Sequence, residues 1–236
     1  MVSKLNLGLT GNSCRLILFS IILISARCED EKPFASQNLT LVLPISVQPA
    51  NALISKGDTL WISANISDSL YEYHSKKKYK LANFNFGQTS LVIRKLVDIN
   101  KLFGDQPGAG SAFIIFVEKG SITFQGDTFV DYNFFYNQIT KSYQLKIALV
   151  PQEIGIFCIA SLSPKDLNYQ GILDLGRSNE GATIIPVYED LFFPVNNGEN
   201  NFDLFKQHCR DNSASVPNDY RGIYYIQKGS FTFEVK

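Results

Sequence analysis

Three stretches of two-residue alternation constrain this fold most. Leu60, Ile62, Ala64 and Ile66 share one face of an extended chain, and Trp61, Ser63 and Asn65 share the other. Tyr143, Leu145, Ile147 and Leu149 alternate with Gln144, Lys146 and Ala148, and Phe231, Phe233 and Val235 alternate with Thr232, Glu234 and Lys236. A period of two places successive side chains on opposite sides of a strand. One apolar face and one wetter face is the pattern of an antiparallel sheet packed on a single core. Leu39, Leu41 and Leu43 repeat it more weakly, and residues 89–97 (TSLVIRKLV) also suit a strand. Ala112 to Val117 and Ile154 to Leu162 are continuous apolar runs, the form of a strand covered on both faces. Turn signals at Gly57-Asp58, Gly126-Asp127 and Pro151-Gln152-Glu153 separate the runs. The expected fold is mainly β, an antiparallel β-sandwich.

Residues 163–212 break this regularity. Pro164, Gly171, Gly176, Gly181, Pro186, Pro194 and Gly198 interrupt short apolar pieces. Ala182 to Tyr188 suits an edge strand, where Pro186 is tolerated. Asn200 or Asn201 suits the cap of a short helix over Phe202 to Cys209, with Phe202, Phe205 and Cys209 on one inward face. Residues 38–236 are thus expected to form one β-rich domain, with 163–212 an irregular extension packed on it and carrying one short helix.

The first 28 residues differ in kind. They contain Lys4, Arg15 and Arg27 and no acidic residue, and Leu16 to Ala26 is an eleven-residue segment that is almost wholly apolar. Basic charge followed by a short greasy core is the order of a secretory signal peptide. As a helix the segment rises only about 16 Å, roughly half a bilayer core, which argues against a permanent transmembrane helix. Residues 29–37 (EDEKPFASQ) read as a polar tether.

Ser25-Ala26-Arg27-Cys28 followed by Glu29-Asp30-Glu31-Lys32 resembles the lipobox and acidic flank of bacterial envelope lipoproteins, most closely the uncharacterised Bacteroidetes-type ones. Lys56-Gly57-Asp58-Thr59-Leu60-Trp61-Ile62 is similar to the start of domains in that group. The resemblance covers the first third of the chain, and Arg27 stands where the pattern has a small residue. It implies lipidation of Cys28, a membrane anchor and an outer-membrane or cell-surface location. Cleavage beside Cys28 and free secretion is the alternative. A second resemblance lies further on. Leu145-Lys146-Ile147 followed by Glu153-Ile154-Gly155-Ile156-Phe157-Cys158 looks like the corner and second cysteine of immunoglobulin domains. The partner cysteine and the usual tryptophan position are missing, so it implies an immunoglobulin-like architecture without the antibody-type core.

Charge and chemistry exclude more than they select. The chain has 22 basic and 22 acidic residues, and removal of residues 1–28 leaves three more acidic than basic. Without a basic excess or stripe, a nucleic-acid partner is not expected. Only His74 and His208 are available, without metal-ligand spacing to cysteine, so neither a metal nor a cofactor is expected. Cys158 and Cys209 are a candidate disulfide pair in an oxidising compartment; two buried thiols are the alternative. Asp166, Asp174, Glu189 and Asp190 are carboxylates a glycan hydrolase would need in a facing pair, which spacing alone does not supply. Tyr132, Asn133, Phe134 and Tyr136 suit either a sugar-binding face or cross-strand core pairs. Lys76-Lys77-Lys78 and Lys80 suit a solvated hairpin or loop, with a patch for an acidic partner as the alternative. Asn38-Leu39-Thr40 and Asn65-Ile66-Ser67 match glycosylation sequons and indicate exposure. The expected function is an envelope-anchored, extracytoplasmic binding or assembly module without a catalytic site, meeting a protein or glycan partner. A secreted glycan hydrolase and a purely structural envelope protein are the alternatives.

Overall fold

The computed structural model describes residues 35–82, 86, 89–162, 184–210 and 223–236. The expected signal peptide, Cys28 and most of the tether lie outside the described residues. The three alternating stretches become three strands: β4 (Leu60–Ser67), β12 (Ser142–Pro151) and β15 (Ser230–Val235). Their apolar faces all enter one core.

A five-stranded sheet contains β2 (Ser46–Gln48), β4, β12 and β11 (Phe135–Asn137), with β8 (Phe113–Lys119) beside β12. A six-stranded sheet runs β3 (Leu53–Ile54), β15, β13 (Gly155–Leu162), β7 (Thr89–Lys95), β10 (Phe129–Asn133) and β9 (Ser121–Gln125). Ile62, Ile66, Tyr143, Leu145, Ile147 and Leu149 of the first share one buried cluster with Leu91, Ile93, Val130, Phe157, Ile159, Phe231 and Phe233 of the second. Phe113 makes edge-on ring contacts with Phe157 and Phe233 at 5.0 and 6.2 Å, which ties β8 to the opposite sheet. The fold is therefore mainly β, an immunoglobulin-like sandwich whose two inner faces fill a common core.

A four-stranded sheet extends the five-stranded one past Asp68. It runs β14 (Ile184–Phe192), β1 (Ala35–Val42), β5 (Ser69–Glu72) and β6 (Lys78–Lys80). Three expectations are corrected here. The sheets are mixed, because β1–β14 and β3–β15 pair in parallel. The edge strand expected over Ala182 to Tyr188 is present as the nine-residue β14, but it runs on to Phe192, so the extension is less irregular than expected. The sequence-derived tether ends early, because β1 takes in Ala35, Ser36 and Gln37.

Two chain segments pass from one sheet to the other with a single residue between strands. Gly120 separates β8 from β9, and Phe134 separates β10 from β11. Such bends are how sandwich corners are made. Gly120 has φ +88°, and a Cβ there would lie 2.6 Å from the Asn133 carbonyl oxygen. Gly57 also has φ +88°, but faces open space.

The lysine-rich segment is the expected hairpin, β5–β6, and a buried carboxylate holds it. Glu72 accepts hydrogen bonds from the N–H groups of Thr40 (3.3 Å) and His74 (3.1 Å) through Oε1, and of Ser75 (2.5 Å) through Oε2. Burial pushes the Glu72 pKa up, but these backbone donors outweigh it and hold the group below its ordinary value.

The Gly120→Ala and Gly57→Ala variants separate backbone strain from collision. Gly57→Ala is expected to cost about 1 kcal/mol and Gly120→Ala about 3 kcal/mol or more, read from urea denaturation. Equal losses would show that the close approach at Asn133 has no weight. Glu72 has a folded pKa below its unfolded one, so its stabilisation is present above pH 4.5 and is lost as pH falls through the folded value. Glu72→Gln should lower stability at pH 7 by roughly 1–3 kcal/mol and flatten the acid limb of the stability profile.

Candidate functional site

The two outer faces of the sandwich have different fates. On the six-stranded sheet, Cys158 of β13 and Leu96 just beyond β7 would leave an apolar outer surface. Helix α1 (Phe202–His208) covers this part of the sheet, while Phe124 of β9 and Phe129 of β10 stay exposed. Leu96, Cys158, Phe205 and Cys209 form a second buried cluster, with Phe103, Ile156, Phe202 and Ile226 packed around it. The expected helix is present and its inward face is as expected, but Asn201 does not cap it with its side chain. Asn201 adopts φ 58° and instead donates from Nδ2 to the Thr232 carbonyl at 3.0 Å, fastening the helix to β15.

Both cysteines of the candidate disulfide pair lie in this cluster, as thiols in this structure. Cys209 Sγ donates to the Lys101 carbonyl at 3.4 Å. Burial pushes the Cys158 thiol up to about 12, against smaller help to its thiolate from Thr232 and Ser230. A thiol held neutral in this way is a poor nucleophile.

The outer face of the five-stranded sheet is open. Strand register arranges its side chains in cross-strand rows. Phe116, Ala148, Trp61 and Gln48 form one row. Lys146, Ser63 and Ser46 form the next, and Phe135, Gln144 and Asn65 the third. Phe116 and Phe135 are 57% and 53% exposed, far beyond what a core position shows. Between the rows lies a shallow depression of ≈ 480 Å³, lined by Ser46, Ser63, Asn65, Glu118, Gln144 and Lys146 among others. Short side chains from Ser46, Ser63 and Asn65 line it on one side and the longer Glu118, Lys119, Gln144 and Lys146 on the other, and Trp61, the sole tryptophan of the chain, stands in the neighbouring row.

The charged groups here are organised. Lys146 Nζ lies 2.5 Å from Glu118 Oε2 and 4.5 Å from the centre of the Trp61 ring. Lys119 Nζ donates to Gln144 Oε1 at 3.1 Å. Glu118 and Lys119 sit at a register shift in the β8–β12 pairing, opposite Lys146, and so both reach this area.

Within the aromatic run at 129–136, Tyr132, Phe134 and Tyr136 pack inward, while Phe129 and Phe135 are exposed. Tyr132 is buried and donates to Ser161 Oγ at 3.0 Å; Phe134 meets Tyr132 and Phe86 edge-on; Tyr136 packs on Tyr143 and donates to Asp68. On the open face, Trp61 is half-buried and its outward step was legible, while Phe116 and Phe135 are exposed and their exposure was not legible. The run Ala112 to Val117 promised a strand covered on both faces, but β8 is an edge strand with Ile114 and Phe116 turned outward. The polar pair Glu118-Lys119 ending that run is the signal that pointed to an edge.

Asn65 is exposed on this open face, while the side chain of Asn38 lies outside the described residues. Asp166 and Asp174 also lie outside them, as do the side chains of Glu189 and Asp190. Among the described residues no three His, Cys, Asp or Glu side chains come together as a metal site.

No protein-family model matches the chain. No curated protein matches it either. Among solved structures it is similar to a non-cellulosomal cohesin from the hyperthermophilic archaeon Archaeoglobus fulgidus, with 8% identity, 67% of this chain and 91% of that chain covered, and a TM-score of 0.20.

The buried thiol gives a prediction. Its pKa is raised from 9.0 to about 12 on folding, so the unfolded chain loses this proton first as pH rises. Stability is unaffected below pH 9 and falls between pH 9 and about 12. Cys158→Ala should reduce that alkaline loss in pH-dependent melting. A maleimide at pH 7.5 should leave the native protein unlabelled and modify both thiols once it is unfolded without reductant. No label after unfolding would report a Cys158–Cys209 disulfide.

Proposed function

We propose that this chain is an extracytoplasmic binding module, exported by residues 1–28, held at a membrane through acylated Cys28, and using the open face of the five-stranded sheet as its contact surface. That face carries the reading. One outer surface of the sandwich is covered by a helix around Cys158, and the other keeps Phe116 and Phe135 exposed, with the half-buried Trp61, near a polar depression. Exposed aromatics grouped on one face mark interaction sites in soluble domains. The groups present bind and orient: amides, hydroxyls, one ion pair and aromatic rings. The partner is a protein or a glycan of the cell surface.

Two measurements test it. Intact mass of the membrane fraction should show a chain beginning at Cys28 with added acyl mass, and Cys28→Ser should abolish both the added mass and membrane retention. An unmodified soluble chain would remove the anchor from the reading. The sole tryptophan reports on the face directly. Titration with cell-surface protein and polysaccharide fractions should change Trp61 emission saturably, and Phe116→Ser should weaken that response by roughly tenfold or more. A response untouched by Phe116→Ser, or none with any fraction, would remove the face from the reading.

A further inference from the structure

Strand β8 leaves one side of the sandwich without a neighbour. It pairs with β12 and, among the described residues, with no other strand. Which of its backbone groups face the open side follows from one hydrogen bond. The Gln152 N–H donates to the Ala112 carbonyl at 2.8 Å. That bond brackets Pro151 and Phe113 as a pair that exchanges no bonds of its own, and Pro151 has no N–H to exchange. Bonding alternates along an antiparallel ladder. Ile114 and Phe116 therefore bond to β12, and Phe113, Ile115 and Val117 turn their N–H and C=O groups to the open side.

Such an edge accepts another strand, and proteins commonly blunt it with lysine, proline or shortness. Other edges of this molecule are blunted in that way: β6 carries Lys78 and Lys80, β14 carries Pro186, and β3 has two residues. Between Phe113 and Val117, β8 has no charge and no proline. Its side chains are uncovered as well, since Ile114, Phe116 and Val117 are 46%, 57% and 39% exposed.

The straight part of β8 has a midpoint. A 3₁₀ turn, Gly110–Ala112, precedes it, and a register shift just after Val117 ends it. Phe113 to Val117 remain, centred on Ile115. An antiparallel copy set with Ile115 opposite Ile115 pairs all of them. Phe113, Ile115 and Val117 then exchange backbone bonds with Val117, Ile115 and Phe113 of the second copy. On the outer face Ile114 stands opposite Phe116 of the second copy, twice by symmetry, in the closely spaced kind of pair. An aromatic beside a β-branched residue is a favourable cross-strand pair. On the inner face Val117 meets Phe113. Glu118 and Lys119 lie past the paired stretch, alongside the uncharged Ala112 and Ser111. Moving the centre to Val117 would set Phe116 opposite Glu118, and moving it to Phe113 would run the 3₁₀ turn against the strand. An edge that matches itself about a two-fold axis closes at two copies.

From these observations we infer that two copies of this chain join through β8, antiparallel and centred on Ile115. The two five-stranded sheets then continue into one another, and their open faces lie side by side on the same surface. The inference does not depend on what those faces bind, and no covalent step is involved.

Sedimentation equilibrium of the full chain tests it, with Cys28→Ser so that acyl chains do not associate. A monomer–dimer equilibrium is expected, with the dimer predominating at about 100 µM. Val117→Pro removes an N–H from the open side and none from the β12 ladder, so it should weaken dimerisation about tenfold or more with little change in melting. Ile114→Lys, at an exposed position, should do the same and covers the case in which Val117→Pro fails to fold. Disulfide formation reads the register. Ile114→Cys chains mixed with Phe116→Cys chains should cross-link between positions 114 and 116, where Cα atoms are about 4.5 Å apart. Either variant alone sets like positions about 7–8 Å apart on the diagonal, too far to bridge, and should cross-link little. A chain that stays monomeric at this concentration, a dimer indifferent to both edge variants, or like-with-like cross-linking overturns the inference. The binding-module reading is tested separately by Trp61 emission and stands or falls on that.

Discussion

Everything in this molecule depends on two sheets sharing one inner face. Burial of a large apolar side chain contributes about 1.5–3 kcal/mol, and the two inner faces supply such side chains along every long strand. Because side chains alternate with a period of two, filling that core also determines which residues point outward. On β13 the outward set includes Cys158, which needs a cover, and α1 provides it. On β4 and β12 the outward set includes Ser63, Asn65, Gln144 and Lys146, which do not. The open face is thus a by-product of the same alternation that builds the core, and function is free to use it.

Magnitudes separate structural roles from recognition on that face. The Lys146–Glu118 pair is close, but both side chains are more than a third exposed. Exposed pairs of this kind contribute about 0–1 kcal/mol, so the pair does little for stability. It does hold Lys146 over the Trp61 ring and removes Glu118 as a partner for anything else. Glu72 is the opposite case. It is buried, and its three backbone donors compensate a desolvation that would otherwise expel it from the fold.

The β-sandwich was legible in Leu60 to Ile66, Tyr143 to Leu149 and Phe231 to Val235 because each strand has one wet face. The helix at Phe202 was legible from Phe202, Phe205 and Cys209 at helical spacing. Edge position was not legible. An edge strand and a central strand can carry the same apolar run, and only long-range pairing distinguishes them, so Phe116 looked like core. Parallel pairing of β14 with β1 was hidden for the same reason, since it joins residues about 150 apart. The site is the sum of these two cases. Its β4 half was visible in the alternation of Trp61, Ser63 and Asn65. Its β8 and β11 half depends on where the chain bends at Gly120 and Phe134.

The first described strand, β1, runs in parallel beside β14, with partners from Ala35↔Ile184 to Val42↔Phe192. Ladder hydrogen bonds lie across the strand direction. A force applied to the chain ahead of Ala35 and directed along β1 therefore loads this ladder in shear, and its bonds must give way together instead of opening one after another. The geometry makes this end of the domain mechanically stiff.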